Sequence, residues 1–231
     1  KRYLNAALII KNGKVDEIIP EEKVDPKTEQ IVLAGGLLTP GFVDLQVNGG
    51  GGVLFNDNPS LENLKTICEA HVQLGSTSIM PTLISDSSDV KKRAISAITD
   101  ALDKQIKGLV GLHLEGPHLA LERKGAHEER FIRPMKEFDC LELESLANKI
   151  SNLILTIAPE AVSLQQITRL SKAGAIISLG HTDCTFNQAA EAVGAGATCA
   201  THLFNAMSSF GSREPGLVGA VLDSGKLFSG I

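Results

Sequence analysis

Leu112-His113-Leu114-Glu115-Gly116-Pro117-His118 is the stretch on which the fold turns. The apolar run Gly108-Leu109-Val110-Gly111 leads into it and reads as a buried parallel strand. The strand ends in a carboxylate, and Gly-Pro then breaks the chain. In parallel α/β sheets the carboxyl ends of the strands are where ligands sit. A strand-end carboxylate taken alone more often caps the following loop. Two later strands change that balance. Ile176-Ile177-Ser178-Leu179-Gly180 runs into His181, and Thr198-Cys199-Ala200-Thr201 runs into His202. Each histidine alone could simply bond locally. Glu115, His181 and His202 delivered to one edge form a donor set for a borderline divalent ion such as Zn²⁺, with a place left for water. By strand alternation His113 shares Glu115's side, and His118 lies past the break. Both read as structural or supporting residues rather than ligands.

Outward from this stretch, strands and helices alternate. Phe42–Asn48 is the first long-sheet strand, followed by a tight or mobile loop at Gly49–Gly52. Ser60 caps a helix to about Leu74, and Thr77–Leu83 is the second strand. A helix over Asp86–Lys104 shows apolar residues at Val90, Ala94, Ile98 and Ala101. A polar insertion, Leu119–Lys136, follows the Glu115 strand, and a helix over Asp139–Asn148 comes next. Leu153–Ala158 is the fourth strand, and Ser163 caps a helix to Ala173. Thr185–Gly194 is a helix between the two histidine strands. The loop Phe204–Pro215 leads to an apolar segment ending at Leu222, and Lys226–Ile231 begins a seventh strand. Repeated strand–helix units imply a parallel sheet with right-handed crossovers. Chemistry gathered at one edge suits a (β/α)₈ TIM-like barrel, incomplete at the C-terminus with about seven of eight strands. Residues 39–231 form this barrel. Residues 1–38 differ: short strands at Leu4–Ile10, Val15–Ile19 and Gln30–Leu33, with an Asn12-Gly13 turn, read as part of a small β domain that needs partner strands.

The chain has 231 residues, 43% hydrophobic, enough for a full core. A net charge of -5 with no long run of either sign gives no electrostatic case for nucleic acid or an acidic membrane. Without Trp and with one Tyr, there is little to stack bases on. No apolar run reaches membrane length, and no signal peptide opens the chain. Cys68, Cys140, Cys184 and Cys199 are scattered without a C-x-x-C pair. They read as reduced thiols of a cytoplasmic protein.

Gln46-Val47-Asn48-Gly49, His113-Leu114-Glu115-Gly116-Pro117, Lys124-Gly125-Ala126-His127, Gly180-His181-Thr182 and Thr201-His202-Leu203-Phe204-Asn205-Ala206-Met207 occur in this order. Together they resemble the N-acetylglucosamine-6-phosphate deacetylases of the amidohydrolase superfamily, over essentially the whole chain. The resemblance implies metal-dependent hydrolysis of the acetamide of N-acetyl-D-glucosamine 6-phosphate to glucosamine 6-phosphate and acetate, in amino-sugar catabolism. It implies a barrel plus a small β-sandwich, and a homodimer. It implies Glu115, His181 and His202 as ligands of one divalent ion, with zinc favoured. Many amidohydrolases carry His-x-His after the first strand, where this chain has Gln46-Val47-Asn48, and amides are poor zinc ligands. Ala126 and His127 match substrate-binding positions, His127 near the substrate carbonyl. Asn205 and Ala206 match positions that bind the sugar phosphate. Arg213 matches the phosphate-binding arginine, which serves the chain's own site or a neighbouring subunit's.

The resemblance places the catalytic Asp and a further substrate histidine after the seventh strand, beyond Ile231, so no catalytic residue is assigned. The expectation is a longer polypeptide, with a protein ending at Ile231 having little activity of its own. Two other functions remain open: an amidohydrolase acting on a cyclic amide, and a non-catalytic phosphosugar-binding protein.

Overall fold

The computed structural model describes residues 2–230. Two units are present, residues 1–40 and 41–231. In the first, β1 (Ala6–Lys11) and β2 (Lys14–Pro20) pair as an antiparallel hairpin, with a register shift between Ile9 and Ile10. Asn12 and Gly13 turn it with φ of 52° and 72°, the two positive values a two-residue hairpin turn demands. The strand expected at Gln30–Leu33 is not formed. A strand needs a partner for its N–H and C=O groups. Here Ile31 and Val32 are 90% and 81% exposed, with no ladder beside them among the described residues.

The second unit opens with β3 (Phe42–Val47). Gly49–Gly52 is not mobile coil but part of a minute hairpin, β4 (Gly49–Gly50) and β5 (Val53–Leu54), turned on Gly51 and Gly52, both at positive φ. Then come α1 (Leu61–Gln73), β6 (Ser76–Ile84), α2 (Ser88–Asp103), β7 (Leu112–Glu115), α3 (Glu137–Ala147), β8 (Leu153–Ile157), α4 (Leu164–Lys172), β9 (Ile176–Leu179), α5 (Phe186–Ala195), β10 (Ala197–Ala200), α6 (Gly216–Ser224) and β11 (Phe228–Ser229). Their helix starts follow from local chemistry. Ser60, Ser87, Ser163 and Thr185 each accept the backbone N–H three residues on, and Ser163 and Thr185 complete capping boxes with Gln166 and Gln188. Every residue of β7 and β8 is buried, as both faces of a helix-covered parallel sheet require.

The seven-stranded sheet runs β11-β10-β9-β8-β7-β6-β3, parallel throughout. Each strand lies beside its predecessor in the chain, so the sheet is singly wound. Right-handed crossovers then stack the helices on one face and leave the other for the interior of a barrel wall. The fold is therefore a mixed α/β barrel of the TIM type with seven strands among the described residues. Register levels the strand ends: Glu115 lies opposite Thr156, Ile157 opposite Leu179, and Leu179 opposite Ala200. His181 and His202 each lie two residues past that line.

Candidate metal centre

Glu115 is 2% exposed at the end of β7. Its Oε1 lies 3.1 Å from His181 Nε2 and 3.1 Å from His202 Nε2, and the two Nε2 atoms are 3.1 Å apart. These three atoms make an equilateral triangle at the sheet edge. Both rings are turned by their far nitrogens. His181 Nδ1 donates to the Arg123 carbonyl at 2.8 Å, and His202 Nδ1 donates to the Asn205 carbonyl at 3.0 Å. In neutral rings both Nε2 atoms are then bare lone pairs facing a carboxylate oxygen. Only a cation reconciles three acceptors at this spacing. A four-coordinate ion with bonds of about 2.0 Å spaces its ligands about 3.3 Å apart. The donor set therefore fits one divalent ion.

The electrostatics agree. Burial alone would raise the Glu115 carboxyl, but His181 and His202 outweigh it and hold the group well below the usual carboxylate range. Burial alone would lower His202, but Glu115 outweighs it and raises the ring. Both histidines sit in the left-handed backbone region, at φ of 48° and 36°. The two residues after His181 are held from other loops. Glu160 accepts from the Thr182 hydroxyl and from the Asp183 N–H, and Arg123 pairs with Asp183 at 2.6 Å.

His127 joins the triad from the loop after β7. It is 3% exposed, its ring meets that of His181 edge-on at 4.4 Å, and its Nε2 lies 3.9 Å from Glu115 Oε2. Burial and the neighbouring His181 push it down to about 4, so the ring is neutral. Gln46 Nε2 donates to Glu115 Oε1 at 3.1 Å. The end it turns to the carboxylate is the amide nitrogen, which has no lone pair to offer an ion.

Ala126 is exposed beside His127. Asn205 and Ala206 flank His202 through the backbone: Asn205 N–H donates to the His202 carbonyl at 2.9 Å, and the Ala206 carbonyl accepts from Thr182 N–H at 3.2 Å. Arg213 is exposed on the loop before α6 and makes no hydrogen bond to the triad. His113 and His118 are buried but do not join it. His118 Nδ1 bonds to the Arg133 carbonyl at 3.1 Å. Cys184 is 1% exposed and packs in the core.

Beneath the triad runs a chain of buried polar groups. His113 Nδ1 is 2.9 Å from the Leu45 carbonyl, which can only accept, so the ring donates there. Burial keeps this ring neutral. Its Nε2 must then accept from Thr156 Oγ1 at 2.6 Å. Thr156 in turn accepts from Thr201 at 2.6 Å, and Thr201 accepts from Ser178 at 2.7 Å. Every proton in the chain points one way.

Ser85, Glu160, Arg123 and Asp183 are the parts sequence reasoning missed. Ser85 had one available signal: it is the first residue past β6, level with Glu115's neighbour Ile84. The others lie in loops, and nothing in their spacing announces that they meet.

The signature of the amidohydrolase family spans residues 37–227. The chain is 43% identical to an N-acetylgalactosamine-6-phosphate deacetylase of Shewanella sp. (strain ANA-3), over 86% of this chain and 50% of that protein. It is 40% identical to an N-acetylglucosamine-6-phosphate deacetylase of Haemophilus influenzae, over 97% of this chain and 58% of that protein. Among solved structures, the N-acetylglucosamine-6-phosphate deacetylase of Pasteurella multocida superposes with a TM-score of 0.93 at 38% identity, covering 99% of this chain and 60% of that one. The Mycobacterium smegmatis N-acetyl-D-glucosamine-6-phosphate deacetylase does so with a TM-score of 0.86 at 30% identity, covering 96% and 57%. The chain thus spans about half to three-fifths of the length of the relatives it matches. No helix among the described residues is long and apolar enough to cross a membrane. A barrel wall of parallel strands, a Glu-His-His donor triangle at their carboxyl ends and a family signature over most of the length place one conclusion beyond dispute: the chain belongs to the amidohydrolase family.

Proposed function

We propose that the chain carries the metal centre and part of the substrate pocket of a deacetylase that converts N-acetyl-D-glucosamine 6-phosphate to glucosamine 6-phosphate and acetate, in amino-sugar catabolism. The observation that carries this reading is the triangle of Glu115, His181 and His202, three acceptors 3.1 Å apart. They would hold one divalent ion, with zinc favoured by two imidazoles and a carboxylate. When bound, such an ion supplies Lewis acidity and lowers the pKa of a coordinated water. The amides of Gln46 and Asn48, poor zinc ligands beside imidazole, support a single ion rather than two.

His127 presents Nε2–H toward the triad, where it would donate to the acetamide oxygen and steady the negative charge that develops there. Ala126 lines the same approach. The Asn205 N–H is spent on the His202 carbonyl. That leaves the Asn205 side chain and the Ala206 N–H for the sugar phosphate. Arg213 adds a guanidinium fork suited to a phosphate dianion, in its own site or a neighbour's across a homodimer. The proton-transferring carboxylate is not assigned to any described residue. On the same reading the first unit is part of a small β-sandwich. The cysteines are all free thiols, which supports a cytoplasmic setting.

The test is acetate release by the full-length protein. Turnover of N-acetylglucosamine 6-phosphate that stops with a chelator and returns with Zn²⁺ is expected. The 4-epimer, N-acetylgalactosamine 6-phosphate, is the informative competitor, and preference for it would move the substrate by one stereocentre. Binding of the phosphosugar without turnover, or hydrolysis of a cyclic amide instead, would overturn the reading.

A further inference from the structure

We infer that Ser85 is a positioning residue that fixes the tautomer of His127, so that its Nε2–H faces the metal centre. The inference rests on the proposed deacetylase for what His127 touches, but its geometry is independent of that. Ser85 lies just past the end of β6 and is 5% exposed. Its backbone N–H donates to His127 Nδ1 at 3.2 Å, and its Oγ lies 2.8 Å from the same nitrogen. A backbone N–H can only donate, so Nδ1 is an acceptor. The hydroxyl must then donate to it as well. A neutral imidazole carries one N–H, which is left at Nε2. That atom points at the triad, 3.9 Å from Glu115 Oε2.

The chain makes room for this hydroxyl. Gly116 follows Glu115 at a φ of 82°, and a Cβ placed on it would lie 2.3 Å from Ser85 Oγ. The glycine thus serves two ends: it takes the left-handed turn, and it leaves the volume that Ser85 fills. The opposite tautomer would set Nδ1–H against the Ser85 N–H and present a bare lone pair to an anionic carboxylate and a substrate carbonyl. Neither contact is tolerable in a dry site.

Two readouts test it. In histidine-labelled full-length protein, ¹⁵N resonances of the metal-free form report which ring nitrogen of His127 is protonated, with His127→Gln identifying the signal. The expected result is protonated Nε2 and unprotonated Nδ1. A ring protonated at Nδ1 overturns the inference whatever the enzyme does. The second readout is kinetic. A Gln amide can set its N–H₂ at the Nε2 position, whereas an Asn amide sets one at the Nδ1 position against Ser85. His127→Gln should therefore retain more kcat than His127→Asn. Ser85→Ala should lower kcat about fivefold with KM little changed, the worth of one neutral hydrogen bond. Equal kcat for the Gln and Asn variants, in an enzyme that does deacetylate, sinks the positioning role alone. Wild-type protein that does not deacetylate sinks the proposed function and leaves the resonance result to decide the tautomer.

Discussion

Replacing Thr156 by Val removes one hydroxyl from the middle of the chain Ser178–Thr201–Thr156–His113 while keeping the side chain's shape. Thr156 is fully buried, with His113 and Thr201 at 2% and 5% exposure, so water does not replace what is lost. Two groups are orphaned: His113 Nε2 loses its donor, and the Thr201 proton loses its acceptor. Thr201 can turn to Ser178 instead, but the Ser178 proton is then stranded, so rewiring moves the deficit without removing it. Each orphan costs about 1–3 kcal/mol, and the deleted hydroxyl no longer has to be desolvated. The net loss is about 2–4 kcal/mol of unfolding free energy. Thr156→Ser keeps the hydroxyl and loses one methyl, about 1 kcal/mol. Urea denaturation of both variants beside wild type, all metal-free at pH 7, gives the comparison. If Thr156→Val proves no less stable than Thr156→Ser, the directed chain is wrong.

Elemental analysis of the full-length protein should find about one divalent ion per chain, and His181→Ala or His202→Ala should lower that sharply, since each removes one of the three proposed ligands; two firmly held ions would contradict the role given to Gln46. Arg213→Ala should cost roughly 2 kcal/mol or more in kcat/KM for the phosphorylated sugar and far less for N-acetylglucosamine, the scale of a charged hydrogen bond; equal losses would remove Arg213 from the phosphate site. Burial would raise Asp139, but the Arg133 fork at 2.6 Å and the Lys136 N–H outweigh it and hold the carboxyl low. A depressed folded pKa adds stability above the unfolded value near 4, lost as pH falls through the folded value. Asp139→Asn should flatten the acid limb of stability against pH, and an unchanged limb would exclude the pair as its source.

The barrel and the residues gathered at its edge were legible for one physical reason. Strands buried in the sheet are largely apolar, so Glu115 at the end of β7, and His181 and His202 two residues past β9 and β10, stand out at the carboxyl edge. The caps at Ser60 and Ser163 were equally plain, since hydroxyl-to-N–H bonds three residues apart are local. The helix after β6 begins at Ser88, two residues later than expected, because Ser87 takes the cap. Gln30–Leu33 misled because β-branched apolar composition states a preference for strand without supplying a partner. Ser85 was missed although it stands first past β6, because its role is to occupy the space left by a glycine 31 positions away, a fact of packing that its position alone does not state. Glu160 is similar: its carboxylate acts on Thr182 and Asp183 from another loop.

The left-handed backbone at both triad histidines has a consequence for how the sequence can drift. Non-glycine residues in that region cost about 1–3 kcal/mol each, so two of them weigh on a fold whose whole margin is about 5–15 kcal/mol. Glycine at position 181 or 202 would relax the turn while deleting the imidazole. A library of this protein sorted for folded yield alone, with no demand for metal, should therefore enrich glycine and asparagine at these two positions before it disturbs the buried strands below. The histidines persist only under a second selection, and their loss would be the first sign that it had been lifted.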